Sequence, residues 1–234
     1  IGGEKLYELG LNGSGIDISI LDTGVDYTHE SFGSCSTQEF QDGNCRVEGG
    51  YDIYAGDSNP MDEEGHGTHV ASTAAGMDEK YRGVAYGADI WAYRVLGPDG
   101  AGTYADIIEG IEKSLDPNND GDTSDHVDIA SLSLGGPGSS DSPVAEAVDN
   151  AVEQGMVVVV SAGNSGGYGT IGTPGNATKA LSVGASNRND DIASFSSRGP
   201  TYWQNGSVSG TKPDLLAPGT GITAANLNGG YLSL

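Results

Sequence analysis

Three side chains of different chemistry stand where regular elements meet loops. Asp22 follows Ile16-Asp17-Ile18-Ser19-Ile20-Leu21 and precedes Thr23-Gly24. His66 sits between Gly65 and Gly67, at the head of Thr68-His69-Val70-Ala71. Asn164 closes the run Val157-Val158-Val159-Val160-Ser161-Ala162-Gly163. Acyl transfer by a hydroxyl needs a base to take its proton, an acid to orient that base, and an N–H donor for the oxyanion. His66 is the candidate base, Asp22 its orienting acid and Asn164 the oxyanion donor. Each has a plainer reading when taken alone: strands often end in Asp before Gly, and Asn between glycines forms turns. The conjunction carries the weight. Of the other histidines, His69 reads as structural on a helix face, and His29 and His126 as surface positions.

The elements that must position these groups are visible as alternating strand and helix signals. Residues 16–22 read as a strand, 66–76 as a helix of small residues, and 90–96 as a second strand. Ile107, Ile108, Ile111 and Leu115 recur at helical spacing within 103–115. Residues 127–134 read as a strand running into Gly135-Gly136. Ser142-Pro143 is a helix start, with Ser as cap and Pro at the first position, and Gly155 ends that helix. Further strands fall at 156–161, 180–183 and 212–219. Such alternation predicts an α/β fold of three layers, a mostly parallel sheet with helices on both faces. In that architecture a site lies beyond the carboxyl ends of the strands, where Asp22, Ser133 and Asn164 all fall.

Length and charge narrow the classes. A chain of 234 residues buries a sizeable core and is compatible with one large domain over 1–234. The 33 acidic against 10 basic side chains, formally −23, exclude a nucleic-acid partner, whose phosphates need a basic patch. No apolar run approaches the ~20 residues that span a bilayer, so no membrane role is expected. Cys35 and Cys45 bracket a polar loop. They read as a local disulfide rather than a metal pair, with free thiols as the alternative. A disulfide implies an oxidising, extracellular setting, and the chain then reads as a mature, secreted form trimmed before Ile1. Asn12, Asn176 and Asn205 open acceptor tripeptides for glycans.

The motifs together resemble the subtilisin-like serine proteases, the subtilases. The resemblance rests on Asp22-Thr23-Gly24-Val25-Asp26, His66-Gly67-Thr68-His69-Val70-Ala71 and Ser131-Leu132-Ser133-Leu134-Gly135-Gly136. It continues through Ser161-Ala162-Gly163-Asn164, Phe195-Ser196-Ser197-Arg198-Gly199-Pro200 and Lys212-Pro213-Asp214-Leu215-Leu216-Ala217-Pro218-Gly219, in the family's order and over nearly the whole chain. It implies a serine endopeptidase acting on polypeptides, with Asp22 and His66 in the triad and Asn164 in the oxyanion hole. Ser133, Leu134 and Gly135 would then pair with the substrate backbone, and Ala162 and Gly163 would wall the pocket for the residue before the cut.

One departure is central. The family's serine lies in a Gly-Thr-Ser-Met-like motif, and Tyr231-Leu232-Ser233-Leu234 resembles the strand that leads into it. Ser207, Ser209 and Ser233 lack that setting. The expectation is therefore a peptidase domain incomplete at its C-terminus, partnered by a C-terminal fragment of the same protease that carries the serine. The competing class is a non-catalytic fragment or pseudoprotease that binds peptides without cutting. An aspartic protease is discounted, because Asp22-Thr23-Gly24 has no second copy to share a proton with. Calcium is the expected cofactor. Asp116, Asn118, Asp120, Asp122 and Asp125 place oxygen ligands as at the start of an EF-hand loop, with Gly121 at its sixth position and Val127 where that loop has Glu.

Overall fold

The computed structural model describes residues 3–234. They divide into two compact units, one running to Ile129 and including Ile222–Leu234, the other Ala130–Gly221. In chain order the first contains α1 (Glu4–Glu8), β1 (Asp17–Asp22), α2 (Thr37–Gln41), β2 (Val47–Asp52), α3 (His66–Ala75), β3 (Asp89–Arg94) and α4 (Tyr104–Leu115). Then come β4 (Ile129–Leu132), α5 (Pro143–Glu153), β5 (Val157–Ser161), β6 (Leu181–Ser186), β7 (Thr201–Tyr202), β8 (Val208–Gly210) and β9 (Leu215–Pro218). The hairpin β10 (Thr223–Ala225) and β11 (Tyr231–Ser233) returns to the first unit.

In the first unit β2, β3 and β1 lie side by side and parallel. Alternation along β1 divides its side chains between two faces. Ile18 and Ile20 join a core with Ala71 and Ala75 of α3. Ser19 and Leu21 face α4, where Ser114 Oγ donates to Ser19 Oγ at 3.0 Å and Gly110 lies against Leu21, Val95 and Ile53. Asp22, two residues beyond Ile20, therefore ends β1 on the α3 face. The expected three layers are found here.

The second unit carries the strand order β4-β5-β6-β9, with β5, β6 and β9 parallel. Helix α5 packs on β5, burying Val144, Ala145, Val148 and Ala151. Its cap is as expected: Ser142 Oγ accepts from Ala145 N–H at 3.3 Å. Helix α4 begins on a reciprocal cap, with Thr103 Oγ1 accepting from Asp106 N–H and Asp106 Oδ2 accepting from Thr103 N–H.

Strand β2 was hidden in the sequence by its glycines. Gly49 packs under the Trp91 ring, and a Cβ at Gly50 (φ 144°) would overlap the carbonyl of Ala92. The strand also carries an irregularity between Val47 and Gly49, so period-two patterning is lost. The Cys35–Cys45 disulfide is present and closes the segment that holds α2. His29 is a correction: it is buried rather than at the surface. Its Nδ1 accepts from Ser31 N–H, and its Nε2 faces the Gly230 carbonyl at 2.8 Å. Asn176 is also buried, its Nδ2 donating to Gly138 O, which excludes it as a glycan acceptor. Among the described residues no helix is long and apolar enough to cross a membrane.

Gly67 is where α3 closes on the end of β1. A Cβ there would lie 2.1 Å from Gly24 O and 3.1 Å from Asp22 Cβ. Alanine is the better helix former by about 1 kcal/mol, yet overpacking against backbone costs roughly 1–3 kcal/mol. Gly67→Ala is expected to lower the urea midpoint and to weaken the Asp22–His66 contact. An unchanged or raised midpoint would contradict this account of the closure.

Candidate active site

The first turn of an α-helix exposes N–H groups without helical partners. In α3 the N-cap is Gly65 in a left-handed conformation (φ 112°), which has no side chain to cap with. Neighbours fill the gap. His66 N–H donates to Glu64 Oε2 at 2.8 Å, Gly67 N–H to Thr23 Oγ1 at 2.9 Å, and Thr68 N–H to Asp62 Oδ2 at 2.9 Å. Asp62 Oδ1 also accepts from the N–H groups of Glu64 and Gly65, both at 2.9 Å. Thr68 Oγ1 donates to Asp62 Oδ2 and accepts from Asp26 N–H. The loop after β1 and the loop before α3 are thus tied to the same helix turn.

This closure sets His66 Nδ1 2.7 Å from Asp22 Oδ1. The Asp22 side chain is fully buried, whereas the His66 side chain is 43% exposed. Asp22 Oδ1 also accepts from Thr23 N–H at 2.8 Å. An ionised carboxylate only accepts, so Nδ1 carries the proton and Nε2 is left as the acceptor. The hydrogen bond that His66 Nδ1–H donates to Asp22 raises the His66 pKa above its ordinary value, with the charges of Asp22, Glu64 and Asp62 adding to it against partial burial. Burial raises the Asp22 pKa, and the hydrogen bonds from His66 and Thr23 pull it back. Among the described residues no hydroxyl hydrogen-bonds to His66, Ser207, Ser209 and Ser233 included.

In the second unit the expected peptide-binding residues come together. Ser133, Leu134, Gly135, Ala162, Gly163 and Asn164 line one cleft of about 520 Å³, with Thr173 and other small uncharged residues. Ser161 Oγ donates to Leu134 O, and Gly136 and Thr173 exchange backbone hydrogen bonds at 2.9 and 3.0 Å. The loop bearing Asn164 is pinned by Ser197. Ser197 N–H donates to Gly163 O at 2.9 Å, and Ser165 N–H donates to Ser197 Oγ at 3.1 Å. Gly163 adopts φ 94°, a conformation that favours glycine. Asn164 is exposed, and its carboxamide makes no hydrogen bond among the described residues, leaving its N–H groups to a ligand.

The residues expected to hold calcium form one exposed loop curled on its own N–H groups. Asp116 accepts from Asp120 and Gly121, Asp120 from Asp122, and Asp122 from Ser124, at 2.8–3.0 Å. Asn118 Nδ2 donates to Asp125 Oδ2 at 2.6 Å. The donors are hard oxygens of the type calcium takes, but their carboxylates are not drawn together. Among the described residues, the three acids whose oxygens lie within 4.8 Å of one another are Asp17, Glu48 and Asp89. Asp62 and Glu64 went unnoticed in the sequence, as did the capping role of Thr23, which was read only as part of the Asp22 motif. Their signal was two short oxygen-bearing segments flanking Asp22 and His66.

Comparison with known proteins identifies the family. The Subtilase family model matches residues 13–233. The chain is 38% identical over 239 residues to serine protease AprX of Bacillus subtilis (strain 168), covering 95% of this chain and 50% of that protein. It is 34% identical to subtilisin DY of Bacillus licheniformis, covering 99% of this chain and 74% of the relative. The crystal structure of a cold adapted subtilisin-like serine proteinase superposes with a TM-score of 0.77 at 31% identity, over 96% of this chain and 70% of that one. The chain spans about half the length of AprX. On sequence and fold together, it belongs to the subtilase family.

Proposed function

We propose that this chain supplies the acid and base of a serine endopeptidase that hydrolyses peptide bonds in polypeptides. The observation that carries the reading is the 2.7 Å contact between buried Asp22 and His66, whose Nε2 has no hydrogen-bond partner among the described residues. Asp22 holds the imidazole in the tautomer that takes a proton at Nε2. His66 accepts that proton from a serine hydroxyl as its oxygen attacks the substrate carbonyl, then returns it to the leaving amine. The Asn164 carboxamide donates to the oxyanion. Ser133, Leu134 and Gly135 bind the substrate backbone, and Ala162 and Gly163 wall the pocket for the residue before the cut.

Among the described residues Ser207, Ser209 and Ser233 do not hydrogen-bond to His66, and the nucleophile of the proposed reaction is a serine brought to His66 by a C-terminal fragment of the same protease. Leu215 and Leu216, neighbours on β9 and so on opposite faces, are 42% and 40% exposed. That leaves apolar surface for such a segment to cover. An extracellular location fits the Cys35–Cys45 disulfide. A calcium ion in the 116–125 loop would supply positive charge that gathers its acids and stiffens the turn after α4.

Four outcomes follow. An organophosphonate reagent applied to the protein from its full gene should label a serine outside residues 1–234; no label would contradict the reading. Asp22→Asn should lower kcat by about 10⁴ with little change in KM, measured on a peptide substrate. In the unsubstituted enzyme kcat/KM should fall as the pH drops through the raised His66 pKa, because the protonated ring is no base. That acid limb belongs above pH ~6.5, the ordinary histidine value, and a limb at or below it would contradict the pairing. Calcium at about 100 times its Kd should add about 2.7 kcal/mol, or roughly 5–10 °C in Tm, reversed by chelator. Substituting Asp116 and Asp120 by Asn should abolish the shift, and a melt indifferent to chelator would remove the ion.

A further inference from the structure

Three acids precede the base in sequence, and the structure gives them different states. Asp62 is buried, and its oxygens take four N–H and O–H donors from Glu64, Gly65 and Thr68. Glu63 is paired with Arg94, whose Nη2 lies 2.6 Å from its Oε2. Glu64 differs from both. It is exposed, its Oε2 is held 2.8 Å from His66 N, and among the described residues no lysine or arginine pairs with it. The positive end of α3 and that hydrogen bond fix the carboxylate in place.

We infer that Glu64 makes this site favour peptides carrying lysine or arginine within two residues of the bond that is cut. The inference rests on the proposed protease reading. A peptide carbonyl brought to His66 Nε2 passes over the exposed ring, and residues of an extended chain follow at about 3.4 Å intervals. Side chains next to the cut therefore travel within a lysine's or arginine's reach of a carboxylate anchored at the His66 backbone. An exposed pair of this kind corresponds to about 1.5- to 5-fold in preference, screened by salt. The alternative role, a cap on the first N–H of α3, needs only an oxygen acceptor. Glu64→Gln keeps the acceptor and removes the charge, so the two roles separate.

The test uses protein from the full gene and matched fluorogenic peptides with lysine, norleucine or glutamate at each of the two positions on either side of the cut. At low salt, kcat/KM for lysine should exceed that for norleucine by about 1.5- to 5-fold at one or more positions, with glutamate poorest. The ratio should fall towards 1 in 0.5 M salt and in Glu64→Gln, while Glu63→Gln, which removes an acid already paired, should keep it. Cleavage of all peptides with a lysine-to-norleucine ratio near 1, or a ratio unmoved by Glu64→Gln, would overturn the inference and leave the protease reading standing. Absence of cleavage would instead overturn that reading. The same ratio, then measured as relative Kd by competition anisotropy, still decides whether Glu64 selects basic peptides.

Discussion

The contact between Asp22 and His66 is the constraint on which the first unit turns. It exists because β1 ends on the face that α3 covers, and because α3 starts with no capping side chain of its own. The open N–H groups at its head are filled by Glu64, Thr23 and Asp62, residues from the two loops that must meet there. One set of hydrogen bonds caps the helix, joins the loops and aims the imidazole. A buried carboxylate left without a partner would be costly. Here its partner is the ring it orients, so burial and function reinforce each other.

The second unit uses a different device. Its cleft is built from small residues whose backbones approach closely, and no charge lines it. Ser197 anchors the loop that presents Asn164, which accounts for a serine- and glycine-rich segment far from the amide in sequence. Positive φ at Gly163 turns the chain so that the carboxamide stands exposed at the end of β5.

Much of this was legible in the residues. Strong periodicity placed α4 and α5, and the Ser142 cap of α5 is the one the sequence indicates, whereas the Thr103 cap of α4 emerged from the structure. The strand ends carrying Asp22 and Asn164 were also plain. The misses have physical causes. Strand β2 carries glycines demanded by Trp91 and Ala92, so its pattern mimics a loop. A strand at Tyr231–Ser233 was expected and is found as β11, but its hairpin partner β10 owes its place to tertiary contacts. Ala225 N–H donates to Ser72 Oγ at 3.1 Å, and His69 Nε2 faces Leu232 O at 3.3 Å. The burial of His29 belongs to the same hairpin, since its Nε2 partner is Gly230, distant in sequence. No local pattern encodes a contact of that range.

The central claim is that buried Asp22 orients and charges His66. A proton NMR titration of the His66 ring in this chain tests it most directly, because the measurement needs neither substrate nor serine. The account predicts a ring pKa above the ordinary histidine value of about 6.5, with a strongly downfield Nδ1 proton from the hydrogen bond to Asp22. A ring that titrates at or below that value, with no such proton, would contradict it.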